Sequence, residues 1–379
     1  MATSTLRTTT TEQTGSLFGA SKNLPEDQLL TDLFTAYYCA RKNKRNTKSQ
    51  VRFERNLADN LIGLYHEIRE RRYKVGRSMC FIINDPVKRE VFAAAFRDRI
   101  VHHLLYNWLM TVFEPMFIYD SYSCRVGKGT LFGIERLEHH IRSCSKNYTE
   151  SCYVLKMDIE GYFMNINHAR LFDIIKRRLE RSDLQKGAAF DVHLALYLLE
   201  LVIFANPVKG CCRKGKKEDW ADLPESKSLF HSPRGCGLPI GNLTSQLFSN
   251  IYLSALDDYV KRILKCRHYG RYVDDFYIVG NRKEEMMPLV NDIRKYLSEE
   301  LSLSLHPRKV CLYPVDKGVP YLGAIIKPYQ RYVSSRTKNN SFRRMEDLWI
   351  HESNPYVIEA TAQSYRGYSQ HFKGKPNIL

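Results

Sequence analysis

Tyr269-Gly270-Arg271-Tyr272-Val273-Asp274-Asp275-Phe276-Tyr277-Ile278-Val279 reads as a β-hairpin: apolar runs at 269–273 and 276–279 flank an acidic pair. An Asp pair at a hairpin tip holds two carboxylates outward and close together. Like charges that close resist joint ionisation unless a cation neutralises them. Hard divalent cations take oxygen ligands and keep room for phosphate oxygens. Asp-Asp is also a good turn dipeptide, so the hairpin alone leaves two readings open. A second segment bears on the choice. Tyr153-Val154-Leu155-Lys156-Met157-Asp158-Ile159-Glu160-Gly161-Tyr162-Phe163 is a buried apolar strand that ends in an acid, followed by Gly and aromatics. Asp158 there is either a ligand on a rigid element or a helix cap. Taken together, three carboxylates on neighbouring strand ends meet the requirement of a two-metal clamp on attacking and leaving oxygens.

The flanking pattern is mixed. Helical spacing runs through 29–39, 51–73, 98–110, 168–179, 192–204 and 284–301. Residues 243–265 form a further helix with two adjacent apolar rows: Leu243, Leu247, Ile251, Ala255, Tyr259 and Ile263, then Phe248, Tyr252, Leu256, Val260 and Leu264. Steps of four put each row on one side, so this helix packs a broad face into the core. Residues 80–92 read as strand, turn at Asp85-Pro86, strand, and short strands fall near 310–313 and 321–326. Residues 206–236, rich in Pro, Gly, Lys and Cys, read as one long connecting loop of the kind that is usually functional or mobile. Helices and strands alternate without βαβ order and no internal repeat is found. The fold class is α+β with an antiparallel sheet.

Charge narrows the partners. Lys and Arg number 58 against 41 Asp and Glu, a formal net charge of +17. Such an excess favours a polyanion, nucleic acid before membrane. The longest apolar run, 192–205, is interrupted by His193 and Glu200 and falls short of the ~20 residues of a spanning helix. The first residues carry no apolar h-region, and ten Cys without a disulfide framework point to a reducing cytoplasm. Cys211, Cys212, Cys236 and His231 fit no zinc-ligand spacing.

Asp158 with Phe163 resembles polymerase motif A. Gly237-Leu238-Pro239-Ile240-Gly241-Asn242-Leu243-Thr244-Ser245-Gln246 resembles motif B, and Tyr272-Val273-Asp274-Asp275 resembles motif C; in this order and spacing they resemble reverse transcriptases. Lys88-Arg89 to Arg99 and Ser121 to Thr130 resemble the two fingers motifs. Leu305 to Lys309 resembles the motif after the hairpin, and Val319 to Gly323 the primer-gripping turn. The resemblance covers about Lys74 to Ile326. Most of the family carries Gln before the motif B Gly. Here Ile240-Gly241 leads to Ser245-Gln246, the form of the reverse transcriptases of diversity-generating retroelements.

The resemblance implies a right-hand fold: a disordered tail at 1–23, fingers 24–150, palm 151–328 with insertion 206–236, and a small helical thumb 329–379. It implies two Mg²⁺ ions, with Mn²⁺ as substitute, on Asp158, Asp274, Asp275 and the carbonyl of Ile159. Arg89 would grip the triphosphate, with Gly241 and Gln246 in the same nucleotide site. Phe163 would exclude a ribose 2′-hydroxyl, or else is a core Phe. Lys309 would protonate pyrophosphate, or else is a surface Lys. Arg97 and Arg99 would pack or touch template, and Tyr356, Tyr365 and Tyr368 would stack on strands or pack helices. Isoleucine at 240 removes a hydrogen bond to the nucleotide's sugar end, a source of error-prone copying. The implied partners are template RNA, a cDNA primer-template, deoxynucleoside triphosphates and a small basic accessory variability protein that is oligomeric. The implied activity copies a template-repeat RNA with changes at adenines, in a cytoplasm of prokaryotic or phage-encoded origin. No RNase H or endonuclease segment is expected after the thumb, so RNA removal and integration would need other proteins. The alternatives are a group II intron or retron reverse transcriptase, and a maturase-like RNA-binding module that has lost the chemistry.

Overall fold

The first three described helices each bury an apolar face in the main core. The computed structural model describes residues 27–42, 47–84, 87–181, 188–352 and 354–373; the expected tail at 1–23 and the Asp85-Pro86 break lie outside them. α1 (Gln28–Arg41), α2 (Lys48–Glu54) and α3 (Leu57–Arg69) come first. The single helix expected over 51–73 is two, parted at Arg55 and Asn56. β1 (Met79–Ile83) and β2 (Arg89–Ala93) pair antiparallel, with Ile83 opposite Arg89. α4 (Phe96–Phe113) follows, its Ile100, Val101, Leu104, Leu105 and Leu109 wholly buried. α5 (Thr130–Cys144) leads into the central sheet.

That sheet is built on β3 (Tyr153–Asp158). Between β3 and its partners run α6 (Tyr162–Asn165), α7 (His168–Leu179), α8 (Val192–Ile203), β4 (Cys212–Arg213) and α9 (Leu243–Asp258). Then come β5 (His268–Tyr272), β6 (Asp275–Gly280), α10 (Lys283–Leu301) and β7 (Cys311–Pro314). The strand order is β5-β6-β3-β7, antiparallel throughout. Opposed residues share a face. Leu155 and Met157 therefore lie with Ile278 and Phe276 against the helices of the main core. Val154, Lys156 and Asp158 lie with Val279, Tyr277 and Asp275 on the other face, where Val154, Tyr277 and Val279 pack with α5. α9 ends at Asp258 and continues as one π turn, Tyr259–Ile263, so the helix expected to 265 changes its hydrogen bonding where its outer row becomes exposed.

Residues 206–236 are not a structureless connector. β4 adds to β1 in parallel, short 3₁₀ turns follow, and Leu229 is buried. Near the C-terminus the strand expected at 321–326 is a hairpin: β8 (Val319–Tyr321) and β9 (Ala324–Lys327) turn at Leu322 and Gly323, both at positive φ, and β10 (Gln330–Val333) adds a strand the spacing did not suggest. α11 (Ser335–His351) and α12 (Pro355–Ser369) pair through Met345, Leu348 and Ala362. Tyr365 packs on that small core and Tyr368 against Phe372, which leaves Tyr356 as the exposed tyrosine of the three. Among the described residues no helix is long and apolar enough to cross a membrane.

Candidate active site

Register places the acids. Asp158 ends β3 directly opposite Asp275, the first residue of β6, so the two carboxylates rise from one face of adjacent strands. Asp274 stands in the two-residue loop before it, between Tyr272 and its ladder partner Asp275. Val273 occupies the other loop position at φ 56°. A β-branched residue in the left-handed region is strained and persists only when its surroundings dictate it. Two bonds do so. Arg271 Nη1 donates to the Val273 carbonyl at 3.1 Å, and Ile159 N–H donates to the Asp274 carbonyl at 3.3 Å. Arg271 is wholly buried and bonded to Asp257 of α9 through Nε at 2.7 Å and Nη2 at 2.6 Å. Tyr269 also donates to Asp257, at 2.7 Å. The tip of the hairpin thus hangs from a buried ion pair in the helix behind it. On the other side His306 N–H donates to the Asp158 carbonyl at 2.7 Å, bringing Leu305–Lys309 alongside.

The charges are strained as well. Burial, then Asp158 and then Asp275 push the Asp274 carboxyl up to about 6. Burial raises Asp275 too, against the opposing pull of Lys156, whose Nζ lies 3.5 Å from its Oδ2. Lys309 Nζ sits 3.0 Å from both oxygens of Asp158, with its side chain half exposed. Two ammonium groups therefore stand where cationic charge is needed, and Asp274 has no ion pair among the described residues. The Ile159 carbonyl accepts no backbone hydrogen bond there either. Among the described residues no three carboxylate, imidazole or thiol groups close into a metal cage by themselves. An all-oxygen, incomplete donor set with uncompensated charge fits a cation that retains water or substrate oxygens, and fits a soft or fully enclosed ion poorly.

Of the nucleotide residues expected from the sequence, Phe163, Ile240 and Gly241 meet at the junction of β2 with the palm, and Arg89 and Gln246 are exposed without a contact to them among the described residues. Arg89 is exposed at the start of β2. Ile240's carbonyl accepts from Phe92 N–H at 2.8 Å, which docks the 237–246 loop on the same strand. Gly241 is required there: at φ 121° a Cβ would come within 2.8 Å of the Phe92 carbonyl oxygen. The Phe163 and Ile240 side chains are half buried in one apolar cluster with Phe92. Gln246 lies exposed on α9. Arg97 bonds Glu67 and lies over Tyr73 at 4.9 Å, and Arg99 donates to the Ala94 carbonyl at 3.2 Å, so both arginines pack. The sequence did not single out Lys156, Glu90 or the Arg271–Asp257 pair. Only Arg271 carried a signal: a charge inside the apolar run that leads into the acids.

The sequence model described as reverse transcriptase (RNA-dependent DNA polymerase) matches residues 88–326. Protein YkfC of Escherichia coli is 23% identical over 275 residues, 64% of this chain and 64% of that protein. The putative COX1/OXI3 intron 2 protein of Saccharomyces cerevisiae is 20% identical over 340 residues, 74% of this chain and 36% of that protein. The chain thus spans less than two thirds of the length of either relative. Among solved structures, apo telomerase from Candida tropicalis truncated from its C-terminal domain superposes with a TM-score of 0.49 at 12% identity, over 68% of this chain and 55% of that one.

Proposed function

The chain belongs to the reverse-transcriptase family, and on that premise we propose that it is an RNA-directed DNA polymerase whose active centre is the end of β3 and the β5–β6 turn. The observation that carries this reading is Asp158 opposite Asp275, with the raised carboxyl of Asp274 between strand ends. A pure RNA binder gains nothing from buried, mutually repelling acids that face an anionic ligand.

Asp158, Asp274 and the Ile159 carbonyl, with Asp275 beside them, would hold two divalent ions, Mg²⁺ or Mn²⁺. Bound there, the ions would lower the pKa of the primer 3′-hydroxyl and neutralise charge on the leaving pyrophosphate. The protein's own part is positional. The strained turn holds Asp274 against Asp158, and the ladder holds Asp275 beside them. Lys309 is half exposed, so its ammonium is free to leave Asp158 for an incoming phosphate and to donate a proton to the leaving group. Arg89 offers a planar fork to the triphosphate. Phe163 would exclude a ribose 2′-hydroxyl and so favour deoxynucleotides. The proposed division is fingers 24–150, palm 151–328 and thumb 329–379.

The finer reading rests on Ile240-Gly241 and Ser245-Gln246. Ile240 gives the nucleotide's sugar end an apolar contact where a glutamine would give a hydrogen bond. We therefore assign the chain to the diversity-generating type, copying a template-repeat RNA with changes at adenines beside a small basic accessory protein. The test is primer extension on an RNA template, with and without that protein, followed by sequencing of the cDNA. Changes concentrated at template adenines support the assignment. Accurate copying keeps the polymerase and removes the subtype. RNA binding with no extension under any condition supports the maturase-like module instead.

A further inference from the structure

Residues 206–236 leave α8 and return to the palm at Gly237, and between those points they bind the β1–β2 hairpin. Cys212 N–H donates to the Ser78 carbonyl at 2.9 Å and Lys214 N–H to Cys80 at 2.8 Å. Lys88, next to Arg89, donates from Nζ to the Ala221 carbonyl. The densest attachment is Glu90. Its carboxylate is 1% exposed and accepts from Trp220 Nε1 at 2.8 Å, Ser228 Oγ at 3.2 Å and Leu229 N–H at 2.7 Å. All three donors belong to this one segment, and among the described residues no ion pair reaches Glu90. A buried carboxylate satisfied only by such donors ties strand and segment together, because loss of any donor leaves charge unsatisfied.

The segment then reaches the palm. Leu229 is buried with Cys80, Phe92 and Met164, and Phe163, Ile240, Trp220 and Phe230 pack on that cluster. Gly161, three residues after Asp158, passes so near that a Cβ would lie 3.0 Å from the Ser226 carbonyl oxygen. At the exit Gly237 N–H donates to Ile166 and Leu238 N–H to Phe163, at 2.9 and 2.7 Å.

We infer that residues 206–236 are a strap fastening the β1–β2 hairpin to the palm, with Glu90 as the positioning residue through which it fixes the strand that carries Arg89. Adjacent strand residues face opposite ways. The strap grips β2 on the Glu90 side and leaves Arg89 free on the other, where it is exposed. The strap thereby governs how tightly the incoming nucleotide is held. The inference rests on the reading of Arg89, Phe163 and Ile240 as a nucleotide site.

Its test is single-nucleotide incorporation by Glu90→Gln and Trp220→Phe, with amide hydrogen exchange of the same proteins. Gln at 90 preserves shape, and Phe at 220 preserves the ring, so both variants are expected to fold. KM for the deoxynucleotide should rise about three- to tenfold, with kcat within about twofold and RNA affinity unchanged. Exchange should quicken in 79–83, 89–93 and 212–214 while α4 stays protected. An unchanged nucleotide KM in both variants overturns the inference, whatever exchange shows. If the wild type does not extend at all, the functional reading has failed by itself. Exchange then decides the fastening: faster exchange at β1–β2 supports it and unchanged exchange overturns it.

Discussion

Asp274 shows how the site is set against the stability of its own fold. Its carboxyl is ordinary in the unfolded chain, at 3.8, and raised to about 6 in the folded one. The folded state therefore binds more protons than the unfolded state between those values, and stability is lost as pH rises through them. Below about pH 4 both states are protonated and there is no penalty. Above about 6 the metal-free protein carries it in full, roughly 3 kcal/mol on this shift. Asp274→Asn should thus abolish extension yet stabilise the metal-free fold, by an amount near zero at pH 4 that grows to a plateau above pH 6. Denaturant melts of both proteins across that range check it, and a gap independent of pH contradicts the cause given. Ile240→Gln should lower misincorporation at template adenines by restoring a sugar-end hydrogen bond. Cognate KM and error spectrum measured together decide this, since an unchanged spectrum removes Ile240 from the account. The acids were legible in the sequence because their chemistry is local, an acid at a strand end and an acid pair in a turn, whereas Ile240 stood out only through the resemblance of its motif. Lys156 and Glu90 were not legible, because a charge acquires its meaning from partners that only the fold supplies, over a hundred residues away in both cases.

The β5–β6 hairpin is the element on which the site depends. Its ends were readable from the alternation around the acids. Its support was not, since Arg271 reads as an interruption of an apolar run until Asp257 appears behind it on α9. A buried ion pair of this kind is costly to break from one side. Asp257→Ala should destabilise the protein by roughly 3–5 kcal/mol, because it strands a buried guanidinium. Arg271→Lys keeps the charge and loses the fork that reaches both Asp257 oxygens and the Val273 carbonyl. Its kcat should fall at least tenfold with nucleotide KM little changed, since the turn that presents Asp274 loses its tether. Single-turnover kinetics at saturating nucleotide read this, and an undiminished rate contradicts it. Elements whose order comes from tertiary contact were the ones misread. The break at Arg55 and Asn56 sits inside an unbroken helical pattern, and β4 is two residues long, exposed, and a strand only because β1 lies beside it.

At the scale of the molecule, the +17 charge and the class of fold were plain from the chain alone, while its wiring was not. The exposed ring of Tyr356 and the exposed Trp349 on the paired C-terminal helices offer stacking surfaces. Tyr356→Ala should weaken primer-template binding by about 1–3 kcal/mol if a base stacks there. Phosphate tracking should appear as a log affinity that falls with log salt by about 0.7–0.9 per contact. The central claim, that Asp158 and the hairpin acids perform nucleotidyl transfer, is tested most directly by one measurement. It is extension of an RNA-templated primer with deoxynucleotides and Mg²⁺, by wild type and by Asp158→Asn at matched RNA occupancy. The account predicts extension by the wild type alone, with RNA bound equally by both. Extension by Asp158→Asn, or none by the wild type with RNA bound, contradicts it.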